Sequence, residues 1–134
     1  MEGEKKKILI VDDDSFLLDM YAFKFSQNNF DVYTASGGAE AIQKLKDGLN
    51  PDIILMDIIM PEMDGFEMFE KINNEKLSPS STKIILSNKG QQEDIDRGVA
   101  LGAAGYIIKV NSTPVEVIEK VMKILRDKVS IKEQ

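Results

Sequence analysis

The feature that most constrains this chain is a set of short apolar runs that do not alternate with polar residues: Ile8-Leu9-Ile10-Val11, Ile53-Ile54-Leu55-Met56 and Ile84-Ile85-Leu86. A strand with one wet face alternates. A run that is apolar throughout has both faces buried, as in a parallel sheet covered by helices on each side. Phe30 to Ala35 and Tyr106 to Ile108 are weaker strand candidates. The intervening stretches have helical length: Ser15 to Gln27, Gly38 to Lys46, Gly65 to Asn74, Gln91 to Leu101 and Pro114 to Arg126. A strand-helix unit therefore recurs about five times, which predicts an α/β fold, a doubly wound parallel sheet with right-handed crossovers.

At 134 residues the chain is expected to form one domain, with a core of about 7–126 and charged tails at 1–6 and 127–134. Leu77 to Thr82 reads as a Ser/Pro loop. Asp14 or Ser15 is placed to cap the first helix, and Thr113 to cap the last, with Pro114 in its first turn. On that last helix Ile118, Val121, Met122 and Leu125 recur on one face. Val117 and Ile124 fall off it, as apolar area open either to a partner or to the body of the domain.

Composition removes whole classes of chemistry. There is no cysteine and no histidine, so disulfides, thiolate catalysis, the usual general base and the usual zinc ligand are all missing. A net charge of −6 disfavours direct nucleic-acid binding, which relies on clustered Lys and Arg. No apolar stretch approaches membrane-spanning length, and the run behind the basic N-terminus breaks at Asp12 without a cleavage site. A soluble, cytoplasmic protein is expected. No output segment is visible after the fifth helical stretch, so the chain either acts alone or is a fragment; if it stands alone, its output is expected to run through another protein.

In sheets of this class, ligands bind outside the carboxyl ends of the strands. After the first run stand Asp12, Asp13 and Asp14; after the third, Asp57; after the fourth, Ser87; after the last, Lys109. Each alone has an ordinary reading as a turn former, helix cap, loop hydroxyl or surface cation. Together they make a chemical set. Converging carboxylates need a cation, and an all-oxygen site without histidine suits a hard ion such as magnesium. Lys109 adds a fixed positive charge, and the Ser87 hydroxyl can donate to a phosphoryl oxygen. Asp57 ends its strand singly, ahead of a loop with Pro61 and Gly65, and is the expected nucleophile in phosphoryl transfer to a carboxylate.

At these residues the chain resembles the receiver domains of two-component signalling, and chemotaxis regulators in particular. The resemblance rests on Asp12-Asp13 after Ile8 to Val11, the block from Met56-Asp57 to Asp64-Gly65, Ser87 after Ile84 to Leu86, and Gly105-Tyr106-Ile107-Ile108-Lys109, in family order from Lys7 to about Arg126. It implies a flavodoxin-like, five-stranded sheet of strand order 2-1-3-4-5 with five helices. It also implies that Asp57 accepts a phosphoryl group from a phosphohistidine on a histidine kinase or phosphotransfer protein. Asp13 and Asp57 would ligate Mg2+ or Mn2+, with Asp12 acting through water and the backbone carbonyl of Ile59 as a further ligand. Ser87 and Lys109 would hold the phosphoryl oxygens. Ser87 and Tyr106 would switch, changing the face of the fourth helix, fifth strand and fifth helix toward a protein target or a second copy. On this reading the chain is no conventional enzyme but catalyses its own phosphorylation and dephosphorylation.

Two positions depart from the family pattern. Val110 stands where proline usually follows the lysine; a cis bond before a non-proline residue costs roughly 2.5 to 4 kcal/mol, so a trans Lys109-Val110 bond is expected. Asn88 stands where a small residue is usual, and with Lys89 and Ile59 it is expected to modulate the site. Two other functions remain open at this point. One is a degenerate receiver acting as a phosphate-independent interaction module. The other starts from Asp12 and Asp14, which also resemble the opening of haloacid-dehalogenase-type phosphatases, with Asp12 as nucleophile and Asp14 as acid/base.

Overall fold

The computed structural model describes residues 4–133, with side chains as far as Asp127. Its elements alternate: β1 (Lys6–Val11), α1 (Ser15–Gln27), β2 (Phe30–Ala35), α2 (Gly38–Lys46), β3 (Ile53–Met56), α3 (Gly65–Asn74), β4 (Thr82–Ser87), α4 (Gln92–Leu101), β5 (Gly105–Ile108) and α5 (Pro114–Glu133), with a 3-10 turn at Lys109–Asn111. The strands form one sheet in the order β2-β1-β3-β4-β5, every pair parallel.

The continuous apolar runs follow from the helices on both faces. Ile8 and Ile10 point into a core with Leu18, Tyr21 and Phe25 of α1 and Val117, Ile118 and Val121 of α5. Leu9 and Val11, one residue out of phase, point the other way, toward Ile42 and Leu45 of α2 and Phe66, Phe69 and Ile72 of α3. Period-two geometry alternates the side chains, and each face of the sheet has its own apolar cover. Phe25 and Phe30 meet edge to face with centroids 5.1 Å apart.

Local signals set the helix starts. Asp14 caps α1, accepting from the Leu17 N–H at 3.1 Å. Asp64 and Glu67 exchange bonds of 2.9 and 3.0 Å in a capping box at α3. Thr113 and Glu116 do the same at α5, at 3.2 and 2.8 Å. The left-handed Gly102 ends α4 at a φ of 109°. The Lys109-Val110 bond is trans, as are the other peptide bonds among the described residues.

Two features of α5 differ from the sequence reading. The helix runs on past Arg126 to Glu133, a segment with no Pro or Gly to break it. Its buried face is also rotated: Val117 is 0% exposed and Met122 40%. Val117, Ile118 and Val121 enter the core that α5 shares with α1 and β5, while Ile124 and Leu125 lie at its rim. The apolar stripe is wider than a single row, and contact with the sheet decides which part of it is covered. Among the described residues no helix is long and apolar enough to cross a membrane.

Candidate functional site at the carboxyl edge of the sheet

The strand ends singled out in the sequence come to one edge. Val11 stands opposite Met56, Met56 opposite Ile85, and Ser87 opposite Ile108. The ladder continues one residue beyond the strands, with the Asp57 N–H donating to the Val11 carbonyl at 3.0 Å and the Asp12 N–H to that of Ala35 at 3.2 Å. Both aspartates are thereby fixed at the sheet edge, 2% (Asp12) and 7% (Asp57) exposed.

Lys109 joins them. Its Nζ donates to Asp12 Oδ2 at 2.6 Å and to Asp57 Oδ2 at 2.8 Å. The other oxygens accept from backbone: Asp12 Oδ1 from the Asp14 N–H at 2.9 Å, and Asp57 Oδ1 from the Ile58 N–H at 2.7 Å. Burial raises the Asp12 carboxyl above its usual range, against the lowering effect of Lys109 and the Asp14 N–H. Burial also pulls the Lys109 ammonium down, but its bonds to Asp12 and Asp57 outweigh that and the net displacement is upward. One cation thus serves a pair of sequestered carboxylates, and exposed Asp13 adds a third. One acceptor atom from each of Asp12, Asp13 and Asp57 lies within 4.8 Å of the others. An excess of negative charge, all on oxygen, fits a hard divalent cation better than a soft one.

These residues open on a cleft of about 300 Å³, lined among others by Asp12, Asp13, Asp57, Ile59, Asn88 and Lys109. Ile59 presents an exposed side chain at its mouth. The Asn88 side chain crosses to the neighbouring loop, its Oδ1 accepting from the Val110 N–H at 2.9 Å. Ser87 is not part of this lining. It is fully buried beneath the cleft, and its Oγ accepts from the Lys89 N–H at 3.2 Å.

Tyr106 lies apart from the carboxylates, half-buried at the edge of the cluster under α2, α3 and α4, and its hydroxyl donates to the Lys89 carbonyl. Burial, with the negative charges of Asp94 and Asp57, pushes its hydroxyl pKa up to about 12. The neutral phenol is thus favoured by folding, a contribution intact below the ordinary value of about 10 and lost as pH rises through the folded value. Alkaline titration followed by phenolate absorbance should show a transition near 12 that Tyr106→Phe removes.

Sequence reasoning overlooked Asp94. This buried α4 carboxylate accepts from the Gln91 N–H at 3.1 Å and pairs with Lys89 Nζ at 3.3 Å. With Tyr106 it pins the segment between β4 and α4. The signal was present as the capping-box spacing Gln91-x-x-Asp94.

Comparison with known proteins places the chain in a family. The family described as the response regulator receiver domain matches residues 8–122. The chemotaxis protein CheY of Thermotoga maritima is 37% identical over 121 residues, covering 88% of this chain and 98% of that protein. The alkaline phosphatase synthesis transcriptional regulatory protein PhoP of Bacillus subtilis is 36% identical over 121 residues, 90% of this chain but 49% of that protein. The chain thus spans about half the length of such transcriptional regulators and nearly all of the chemotaxis protein. Among solved structures, a CheY-like receiver domain protein from Methanospirillum hungatei superposes with a TM-score of 0.83 at 28% identity, over 95% of this chain and 98% of that one. Chemotaxis protein CheY4 of Vibrio cholerae gives 0.82 at 26% identity, over 90% and 99%. With the family profile matched from the first strand into the last helix, this chain belongs to the response regulator receiver domain family.

Proposed function

We propose that this receiver domain is a phosphoacceptor switch: Asp57 takes a phosphoryl group from a phosphohistidine on a histidine kinase or phosphotransfer protein in the cytoplasm. The observation that carries this reading is the shared grip of Lys109 on Asp12 and Asp57 at 2.6 and 2.8 Å, beside an open cleft. An Asp57 carboxylate oxygen attacks phosphorus, the bond from phosphorus to the donor imidazole nitrogen breaks, and an acyl phosphate forms on Asp57. The Ile58 N–H orients the nucleophile through Oδ1. Lys109, already bonded to Oδ2, transfers part of its attraction to the incoming phosphoryl oxygens.

Asp13, Asp57 and the Ile59 carbonyl would hold Mg2+ or Mn2+, with Asp12 acting through water. Bound there, the ion offsets the repulsion between carboxylates and phosphoryl oxygens. For Ser87 to reach a phosphoryl oxygen it must shift toward the cleft; its Oγ, which accepts from the Lys89 N–H, draws that segment with it while its O–H stays available to donate. That same segment carries the Lys89 carbonyl held by Tyr106, so site and switch are mechanically joined. The output is a change in the face of α4, β5 and α5 toward a protein target or a second copy. Asp14, the acid/base of a dehalogenase-type phosphatase, is instead engaged as the cap of α1, which favours Asp57 chemistry over that alternative.

The test is intact mass after acetyl phosphate treatment. A single phosphoryl adduct is expected with magnesium, absent without it and absent in Asp57→Asn. A folded, magnesium-binding protein that gains no adduct would leave only a phosphate-independent interaction module. Metal binding has its own readout: magnesium at one hundred times its Kd should stabilise the fold by about 2.7 kcal/mol. Asp13→Asn should abolish the corresponding rise in Tm while leaving metal-free stability within about 0.5 kcal/mol, because Asp13 is exposed.

A further inference from the structure

Asn88 stands in the wall of the cleft beside Asp57 and Lys109. Its side-chain oxygen accepts from the Val110 N–H at 2.9 Å. A backbone N–H can only donate, so it must face the amide oxygen, and this settles which way the amide is turned. The NH2 group is then the other end, and it makes no hydrogen bond to the protein among the described residues. The orienting contact exists because residue 110 has a backbone N–H to offer. The loop after β4 and the loop after β5 are thus tied together, leaving a pair of oriented donor hydrogens on a side chain that lines the cleft with Asp57.

Building on the phosphoacceptor reading of Asp57, we infer that Asn88 is a further phosphoryl-binding residue, its NH2 group donating to an oxygen of the phosphoryl group while the Val110 N–H holds the amide in that orientation. The electrostatics favour it. A phosphoryl group brings about −1.5 to −2 of charge into a site where Lys109 is already shared between carboxylates, so a neutral donor gains a charge-assisted bond without adding desolvation cost. The same side chain stands with Ile59 at the open side of the cleft. There it obstructs the approach of water. Hydrolysis requires a water oxygen to attack phosphorus as the phosphorus–oxygen bond to Asp57 breaks, returning the carboxylate and releasing inorganic phosphate and a proton. Asn88 therefore lengthens the life of the acyl phosphate.

Three measurements on the intact chain test this. In a magnesium and acetyl phosphate sample whose mass shows the Asp57 adduct, the side-chain NH2 resonances of Asn88 should move downfield, and the Val110 amide should stay protected from exchange. Asn88→Ala should hydrolyse its acyl phosphate about tenfold faster. Asn88→Asp keeps an oxygen for the Val110 N–H but presents a carboxylate oxygen to the phosphoryl group, and should accumulate at least about tenfold less adduct. Unmoved Asn88 resonances in a sample that carries the adduct, or hydrolysis in Asn88→Ala within twofold of the wild type, would overturn the role of Asn88 and leave the Asp57 reading standing. No adduct in the wild type would overturn both.

Discussion

Gly65→Ala is expected to lower the stability of the fold by about 3 kcal/mol and to cut phosphoryl labelling of Asp57 more than about tenfold. A methyl group at Gly65 would sit 2.1 Å from the Asp57 carbonyl oxygen, 2.8 Å from Ile58 Cα and 2.9 Å from Ile58 Cδ1. Two of those atoms are backbone, which cannot rotate away as a side-chain tip can. The first turn of α3 is also bound there, the Gly65 N–H donating to the Ile58 carbonyl at 2.8 Å. The strain must therefore pass into the peptide that carries the nucleophile, placing the cost at the upper end of what overpacking typically produces. Gly37→Ala is the control, since nothing lies within 4 Å of a Cβ there, and it should change stability by less than about 0.5 kcal/mol. Urea midpoints with intact mass measure both effects. Equal losses in the two variants would show that the close approach at Gly65 is not what matters.

The second large effect is at Lys109. Lys109→Met keeps the length of the side chain and removes the charge, leaving Asp12 and Asp57 buried with no cation between them. Breaking a buried pair by removing one partner typically costs 3–5 kcal/mol, and about 3 is expected here because backbone N–H donors still serve both carboxylates. The deficit should be largest in chelator and should shrink when magnesium is added, because a second cation takes over part of the neutralisation. Phosphoryl labelling should not recover, since the charge that faces the transferring oxygens is gone. Denaturant curves with chelator and with magnesium test this directly. A variant as stable as the wild type in chelator would mean that the carboxylates are relieved by protonation or water instead of by Lys109.

The Lys109 contacts join residues far apart in the chain, and this is where the sequence stops being informative. Lys109 and Asp12 are separated by 97 positions; that each follows an apolar run is visible in the sequence, but that one ammonium bridges both aspartates is not. Asp94 was missed because a carboxylate on a short polar helix looks solvated until the segment after β4 folds over it. The buried face of α5 is decided in the same way: Met122 belongs to the periodic stripe but turns outward, and Val117, which the sequence leaves open to a partner or to the body of the domain, is taken in. Ser87 was correctly placed at a strand end, and only the structure puts it beneath the cleft instead of in its wall.

What the sequence determined by itself was local in origin. The alternation of strands and helices, the bounds of α1, α2 and α3, the cap at Thr113, the choice of Asp14 or Ser15 as the cap of α1, and the identity of the strand-end residues all follow from periodicity and short-range hydrogen bonding. The trans bond before Val110 belongs with them, since one peptide's own energetics decide it. Strand order came from family resemblance, because apolar runs carry no label of their neighbours. Tertiary structure alone decided which carboxylates share a cation, which hydroxyl lies under the cleft and which way the Asn88 amide is turned. Those outcomes depend on the crossovers that bring β1, β3, β4 and β5 side by side, and burial and charge act between elements only once that order exists.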